Sequence, residues 1–183
     1  MANATLTKND INKLSQDMSA KTKTEAIKKA GHYNDASSTD NLTLKISENS
    51  TDKETEAIVK QLYSLERLTP TLVARSMCMG DLKFFEYALS YLTKRNIKEI
   101  REILRNTEDE YMIRNIMREA RISNTFFPAV IAALKIIYEL NFDMRKESRE
   151  NFIQKVVERV LTFDSVNEKM DIKDIQYLIS KIS

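Results

Sequence analysis

Two runs of basic residues carry the clearest chemical pattern in this sequence. The first run recurs at i, i+4, i+7 and i+11 and the second at i, i+4 and i+7, a spacing that puts side chains on one face of a helix. These residues are Lys94, Lys98, Arg101, Arg105, Arg114, Arg118 and Arg121. Because guanidinium forks bind carboxylates and phosphates, the runs indicate a possible partner-binding surface for an acidic protein or a nucleic-acid backbone.

Acidic residues are interleaved with both runs. From Lys94 to Arg121, eight basic residues stand against six acidic ones, which leaves a net charge of +2. We expect Asn96 to cap the helix of the first run, and Thr107 with Glu110 to cap the helix of the second. If these two helices pack antiparallel, the runs could merge into one basic stripe. The simpler interpretation is a solvated helix face stabilised by surface ion pairs.

Other residue types that could do chemistry are scarce. The single histidine, His32, follows Gly31 and is better placed to interact with a helix C-terminus than to transfer phosphate. One histidine and one cysteine, Cys78, lie 46 positions apart and cannot complete a zinc site. A Gly-rich phosphate loop cannot be built from two glycines at positions 31 and 80. We therefore expect no catalytic residue, no metal, no cofactor and no enzymatic activity, with Cys78 as a buried thiol.

The stretch from Leu68 to Leu92 predicts a helical hairpin. Thr69 can cap a first helix, and Pro70 suits its first turn, where the missing N–H does no harm. Gly80 can end that helix in the left-handed conformation, and Asp81 can cap the second helix.

Three blocks of sequence also carry a family resemblance: LTPTLVARSMCMGDLKFFEYAL, IKEIREIL and REARISNTFFPAVIAALKIIYEL. They resemble the bacterial family known as domain of unknown function 2336, over roughly residues 60 to 140, with the N-terminal segment similar to that family's helical lead-in. The matching residues are Leu68, Thr69, Pro70, Gly80, Asp81, Phe84, Phe85, Glu86, Phe127 and Pro128. The resemblance implies an all-helical, repeat-like bacterial protein with no assigned activity and no catalytic residue to carry over.

Composition and periodicity predict an all-α fold, a multi-helix bundle or a short α-solenoid-like (HEAT-like) array of helical hairpins. Glycine and proline number two each, and hydrophobic residues make up 42% of the chain. We expect an N-terminal helical segment over residues 1–33 and a helical core domain over 54–183. Residues 34–53 are predicted as a polar linker, either a tether or a helix with a weak signal. The last predicted helix is amphipathic and suits a neighbouring helix or a second chain; its apolar residues are Ile172, Ile175, Ile179 and Ile182.

The stretch from Phe126 to Leu140 is apolar on nearly all sides and is predicted to be the central buried helix. It contains charged residues and is too short to cross a membrane. One core is expected to hold Phe85, Leu89, Phe127, Val130, Ile131 and Leu134.

Three functional hypotheses follow, with a cytoplasmic location expected because the N-terminus lacks an apolar signal segment. The first is a non-enzymatic adaptor, scaffold or regulatory module that binds another protein and could form homo-oligomers through its C-terminal helix. The alternative is a small nucleic-acid-binding or transcription-linked regulator that uses the arginine runs. The third is an enzyme or phosphorelay component, for which His32 is the only candidate residue. No membrane partner is expected.

Overall fold

The computed structural model describes residues 36–139, 142 and 147–162. These residues form eight α-helices and one 3-10 turn, and no strand is present among them. The predicted all-α class is therefore confirmed. The chain divides into two compact units between Arg67 and Leu68. The helices predicted within residues 1–33, the histidine at position 32 and the predicted C-terminal amphipathic helix lie outside the described residues.

The first unit contributes two described helices, α1 (Ala36–Glu48) and α2 (Asp52–Ser64). Helix α1 occupies most of the segment predicted as a polar linker, so the linker interpretation is corrected in favour of the helical alternative. Leu44 and Ile46 are fully buried, and the flanking Thr43 and Ser47 are at most 1% exposed. Burial of these apolar residues outweighs the weak intrinsic helix preference of the many Ser, Thr and Asn side chains.

Local signals determine both ends of α2. Thr51 and Glu54 form the predicted capping box, with the Thr51 N–H donating to Glu54 Oε2 at 2.8 Å. At the other end, Glu66 takes a left-handed conformation with φ 56°. The Arg67 N–H then donates to the Leu62 carbonyl at 2.8 Å, which completes a Schellman motif without glycine.

Six α-helices and the 3-10 turn make up the second unit. They are α3 (Pro70–Cys78), α4 (Leu82–Thr93), α5 (Ile97–Arg105), α6 (Glu110–Glu119), the 3-10 turn (Asn124–Phe126), α7 (Phe127–Glu139) and α8 (Arg149–Thr162).

The predicted hairpin of α3 and α4 is confirmed in its capping details. The Thr69 hydroxyl accepts a hydrogen bond from the third helical N–H of α3 at 3.2 Å. Gly80 follows α3 with φ 86°, a region that side chains other than glycine reach only at a cost. The Asp81 N–H donates to the Ser76 carbonyl at 2.8 Å, while its carboxylate accepts from the Phe84 N–H at 3.0 Å. The same short segment therefore ends one helix and begins the next.

Helix α7 is the central buried helix, as predicted. It packs against α3, α5, α6 and α8, and every residue from Ala129 to Leu134 is at most 2% exposed. The six residues predicted to share a core are likewise at most 2% exposed. Among the described residues, no helix combines the length and apolar character needed to cross a bilayer.

Candidate functional site

The basic runs lie on and beside α5 and α6, which form an antiparallel pair. Lys94 ends α4 in the left-handed conformation instead of belonging to α5, and Arg121 follows α6. Arg95, just before α5, donates from Nε to Glu119 Oε2 at the end of α6 at 3.0 Å, and it also pairs with Glu99. As predicted, Asn96 caps α5 by accepting a hydrogen bond from the N–H two residues on, at 2.8 Å. Asp109 caps α6 and accepts from the third helical N–H at 3.1 Å.

The predicted capping role of Thr107 is wrong. Its hydroxyl donates instead to Glu139 Oε1 at 3.2 Å, 32 residues further along the chain at the end of α7. Asp109, two residues closer to α6, supplies the capping oxygen. Thr107 thus connects the loop between α5 and α6 to the central helix, a role that local sequence does not reveal.

Arg101 joins α5 to α4 through an ion pair with a buried carboxylate. Its Nε donates to Glu86 Oε2 at 2.8 Å, and the Glu86 side chain is only 7% exposed. The guanidinium carbon also lies 5.5 Å from the centroid of the Tyr87 ring. The hydrogen bond to Glu86 raises the pKa of Arg101, because it stabilises the charged form. Arg101 therefore has a structural partner.

One of the remaining residues of the first run contacts α7, and the other two are exposed to solvent. Arg105 interacts with Tyr138 near the end of α7. Burial raises the pKa of Tyr138 to about 12, and the nearby Glu86 carboxylate acts in the same direction. Lys94 and Lys98 are exposed.

The second run lies against the beginning of α7. Arg114 Nη2 is 3.6 Å from Glu110 Oε2, and Lys135 Nζ is 2.6 Å from the other oxygen of that carboxylate. The guanidinium carbons of Arg114 and Arg118 lie 5.8 and 5.4 Å from the centroid of the Phe127 ring. Phe127 itself is 1% exposed, so a core residue supports both arginines.

The arginines of the two runs have different surroundings. Arg105 lies beside Tyr138, whereas Arg118 lies over Phe127, eleven residues earlier on the same helix, which is about 16 Å along its axis. Although α5 and α6 are antiparallel, their arginines turn towards different neighbours. The seven predicted residues therefore have several different surroundings, and the merged stripe stays a prediction.

The exposed side of α6 carries the most prominent group of surface residues, which we call the α6 surface. Tyr111 is 71% exposed and Met112 is 39% exposed. Arg118 is exposed and donates from Nη1 to Asn115 Oδ1 at 3.3 Å. Arg121, just after the helix, is exposed with φ 60°. The α6 surface consists of Tyr111, Met112, Asn115, Arg118 and Arg121.

Sequence reasoning missed Tyr111 and Met112. Neither residue is charged, so neither belongs to the basic runs on which the predicted site rests. A signal was available, since Tyr111, Asn115 and Arg118 follow one another at i, i+4 and i+7. Only the burial of the opposite face, with Ile113 at 0% exposure, shows that this spacing faces solvent.

Cys78 lies in the core, as predicted. It is fully buried, and that burial raises the pKa of its thiol to about 12, although the positive charge of Arg75 acts against the rise. A protonated, inaccessible thiol is a poor nucleophile. Within the described residues, no group of three or more His, Cys, Asp or Glu side chains is arranged to hold a metal ion.

The sequence matches a known protein family over most of its length. A model of an uncharacterised protein family conserved in bacteria (DUF2336) matches residues 7–165. The chain belongs to this family, which confirms the resemblance found in its sequence blocks. No curated protein and no solved structure matches the chain significantly.

Several residues of the family-like blocks have clear structural roles. Gly80 ends α3, and Asp81 caps α4. Glu86 binds Arg101 between α4 and α5, and Phe127 supports the arginines of α6. These sequence blocks thus account for much of the fold. Tyr111, Met112 and Asn115 of the α6 surface lie between the second and third blocks, whereas Arg118 and Arg121 belong to the third.

Proposed function

We propose that the protein is a non-enzymatic helical module that binds another protein through the α6 surface. The observation that carries the proposal is the exposure of Tyr111 and Met112 at adjacent positions, 71% and 39%, on a helix that also presents Arg118. Tyrosine, methionine and arginine are enriched at protein interfaces, and tyrosine and arginine dominate binding hot spots.

The opposite face of α6 supports this proposal because it holds the helix firmly in place. Ile113, Ile116 and Met117 are at most 2% exposed and attach the helix to the second unit. A partner would therefore meet a preformed surface and would not have to order a flexible segment, which lowers the free-energy cost of association.

A cytoplasmic location completes the proposal. Its support is the sequence's single cysteine, Cys78, which is buried and cannot form an internal disulfide. Self-association through the predicted C-terminal helix is a separate proposal, which light scattering of the full chain and of a variant with Ile175→Asp would test.

Binding to nucleic acid is the second candidate function. Its support is the exposure of Lys94, Lys98, Arg118 and Arg121, four cations that could meet phosphates. The net charge of the chain is only +2, and Arg101 and Arg114 are already engaged in ion pairs with Glu86 and Glu110. Both observations favour the protein-binding proposal.

A crosslinked affinity pull-down from bacterial cytoplasm, with and without nuclease, tests these candidates. The bait is the full chain, compared with Tyr111→Ala and with Leu161→Ala as a matched control, since Leu161 is 60% exposed on α8. We expect a specific protein that survives nuclease, is lost with Tyr111→Ala and is retained with Leu161→Ala.

Two results would contradict the proposal. Loss of the captured material on nuclease treatment would favour nucleic-acid binding. Equal capture by wild type and by Tyr111→Ala would exclude the α6 surface as the binding site.

A further inference from the structure

Arg118 is oriented before any ligand arrives. Its guanidinium lies 5.4 Å from the Phe127 ring centroid and donates one N–H to Asn115 Oδ1. A guanidinium has five N–H donors, so most of them remain directed to solvent. Stacking and the hydrogen bond restrict the side chain in advance, which reduces the entropy lost when it binds an anion.

Two other arginines of the basic runs, Arg101 and Arg114, differ from Arg118 because each lies beside a carboxylate partner. Arg101 binds Glu86, and Arg114 lies beside Glu110. In the part of the chain that the structure describes, Arg118 forms no ion pair with a carboxylate. Its fork is thus left for a carboxylate supplied from outside.

Arg121 adds a second positive charge close to Arg118, at a position that favours glycine. It occupies the left-handed position after α6, where the Ile122 N–H donates to the Met117 carbonyl at 2.9 Å. Glycine takes this conformation without a steric penalty, whereas arginine does not. The backbone conformation at this position favours glycine, but the chain has a cation there.

Charge changes sign from the segment that precedes α6 to the end of that helix. Tyr111 and Arg118 are seven residues apart, which is two helical turns or about 10 Å. Glu108 and Asp109 precede the tyrosine, while Arg118 and Arg121 lie at the other end. A polyanion lying along the whole helix would meet these acidic residues, so the surface is matched by a ligand with one acidic end.

We infer that the α6 surface binds an acidic segment of a partner protein, with a carboxylate on Arg118 and an apolar side chain on Tyr111 and Met112. The inference rests on the proposed protein-binding function and names its ligand. The two anchors of the ligand are about 10 Å apart, which corresponds to i and i+7 on a helix or to i and i+3 on a polyproline II segment, whose three-residue period puts these positions on one face.

A random-peptide phage library provides the probe for this inference. The library is selected on the intact protein and counter-selected on the Tyr111→Ala/Arg118→Gln double variant. We expect enriched peptides to carry Asp or Glu at one of these two spacings from an apolar residue. A synthetic consensus peptide, labelled with fluorescein, is then titrated with each variant by fluorescence anisotropy.

The variants separate charge from geometry. Arg118→Gln should weaken binding by about tenfold or more, because hot-spot arginines carry a large share of affinity. The affinity of Arg118→Lys should lie between those of wild type and Arg118→Gln, because lysine keeps the charge but lacks the two-pronged guanidinium. Lys98→Gln, which removes an exposed cation outside the surface, should stay within about twofold. Replacing the acidic residue of the peptide by its amide should reduce affinity less for Arg118→Gln than for wild type.

The outcomes distinguish this inference from the proposed function. Consensus peptides that bind Tyr111→Ala poorly but Arg118→Gln normally would overturn the acidic ligand and leave protein binding intact. A selection that enriches no peptide would count against the inference. Arg118-dependent binding of a DNA duplex, or a dimer in sedimentation that Tyr111→Ala dissociates, would overturn it in favour of phosphate or of a second copy. Unchanged circular dichroism of each variant confirms that the fold is retained.

Discussion

Arg101 on α5 and Arg118 on α6 lie at nearly the same distance from an aromatic ring but have different surroundings. The guanidinium of Arg101 is 5.5 Å from the Tyr87 ring, and that of Arg118 is 5.4 Å from the Phe127 ring. Arg101 also binds a carboxylate that is 7% exposed, at 2.8 Å, whereas Arg118 is exposed and binds only an amide oxygen.

The difference shows that helical spacing does not determine the role of an arginine in this protein. Both residues belong to regular basic runs, and both stack on a ring. What separates them is Glu86, a carboxylate on α4 that pairs with Arg101, whereas no carboxylate among the described residues forms an ion pair with Arg118. An arginine that completes a buried ion pair holds the fold, and our proposal assigns ligand recognition to the arginine that is exposed and hydrogen-bonded to an amide.

Removing the ring beneath Arg118 should have the largest effect on stability. Phe127→Ala deletes a side chain that is 1% exposed, so we expect a loss of about 3–5 kcal/mol from the free energy of unfolding. Urea denaturation measures this loss. Tyr87→Ala is the control, since the Tyr87 side chain is only partly buried and Arg101 keeps its carboxylate. A loss as small as that of the control would contradict the packing described for α7.

Breaking the buried ion pair between Arg101 and Glu86 should have the second-largest effect on stability. Arg101→Gln leaves Glu86 without its charged partner, and we expect a cost of about 2–3 kcal/mol. Arg118→Gln removes an exposed arginine and should cost no more than about 0.5 kcal/mol. Both are measured by denaturant unfolding at neutral pH. In Glu86→Gln/Arg101→Gln, part of the loss should be recovered, because no charge is left unpaired. Equal costs for the two arginine variants would show that the comparison is wrong.

Alkaline pH should lower the free energy of unfolding through the ionisation of Tyr138. Its pKa is raised to about 12 in the folded protein, while an unfolded tyrosine ionises near its ordinary value of 10.0. Between these values the unfolded state loses the proton first, so stability falls as pH rises, by at most about 1.4 kcal/mol per pH unit. Denaturation curves from pH 8 to 11 should show a shallower fall for Tyr138→Phe. Parallel curves would indicate that Tyr138 does not titrate differently on folding. The ionisation of Cys78 changes the stability of wild type and of Tyr138→Phe equally, so it does not affect the difference between their curves.

Sequence predicted the elements whose signals are local. Thr69, Gly80 and Asp81 act within a few residues of their own positions, so the hairpin of α3 and α4 could be predicted in detail. The apolar circumference of α7 similarly predicted its burial. Helix α1 was less accessible to prediction because its polar sequence becomes helical only when Leu44 and Ile46 are buried.

The candidate site depended on contacts between distant residues. Glu86 is fifteen residues from Arg101, and Thr107 is 32 residues from its partner, so spacing alone revealed neither bond. The exposure of Tyr111 similarly depends on which face of α6 packs against the unit. Sequence could therefore name the arginines but could not separate those that hold the fold from those available to a ligand.

The smallest expected effect concerns Arg121 and gives the sharpest separation of fold from recognition. Arg121 and Glu66 both take left-handed conformations, with φ 60° and 56°, at the ends of α6 and α2. Replacing either by glycine should stabilise its unit by up to about 1 kcal/mol, because glycine adopts this conformation freely. Thermal unfolding measures both gains.

Binding should distinguish the two glycine variants although their stabilities change alike. Arg121→Gly removes a cation from the α6 surface and should lower the affinity for the acidic consensus peptide by a few fold. Glu66→Gly should leave the affinity for the peptide unchanged. If Arg121→Gly stabilised the protein and bound the peptide as wild type does, the arginine would have no role in recognition. If it stabilised the protein and weakened binding, the conformational cost at this position would be the consequence of keeping a charge where the ligand needs it.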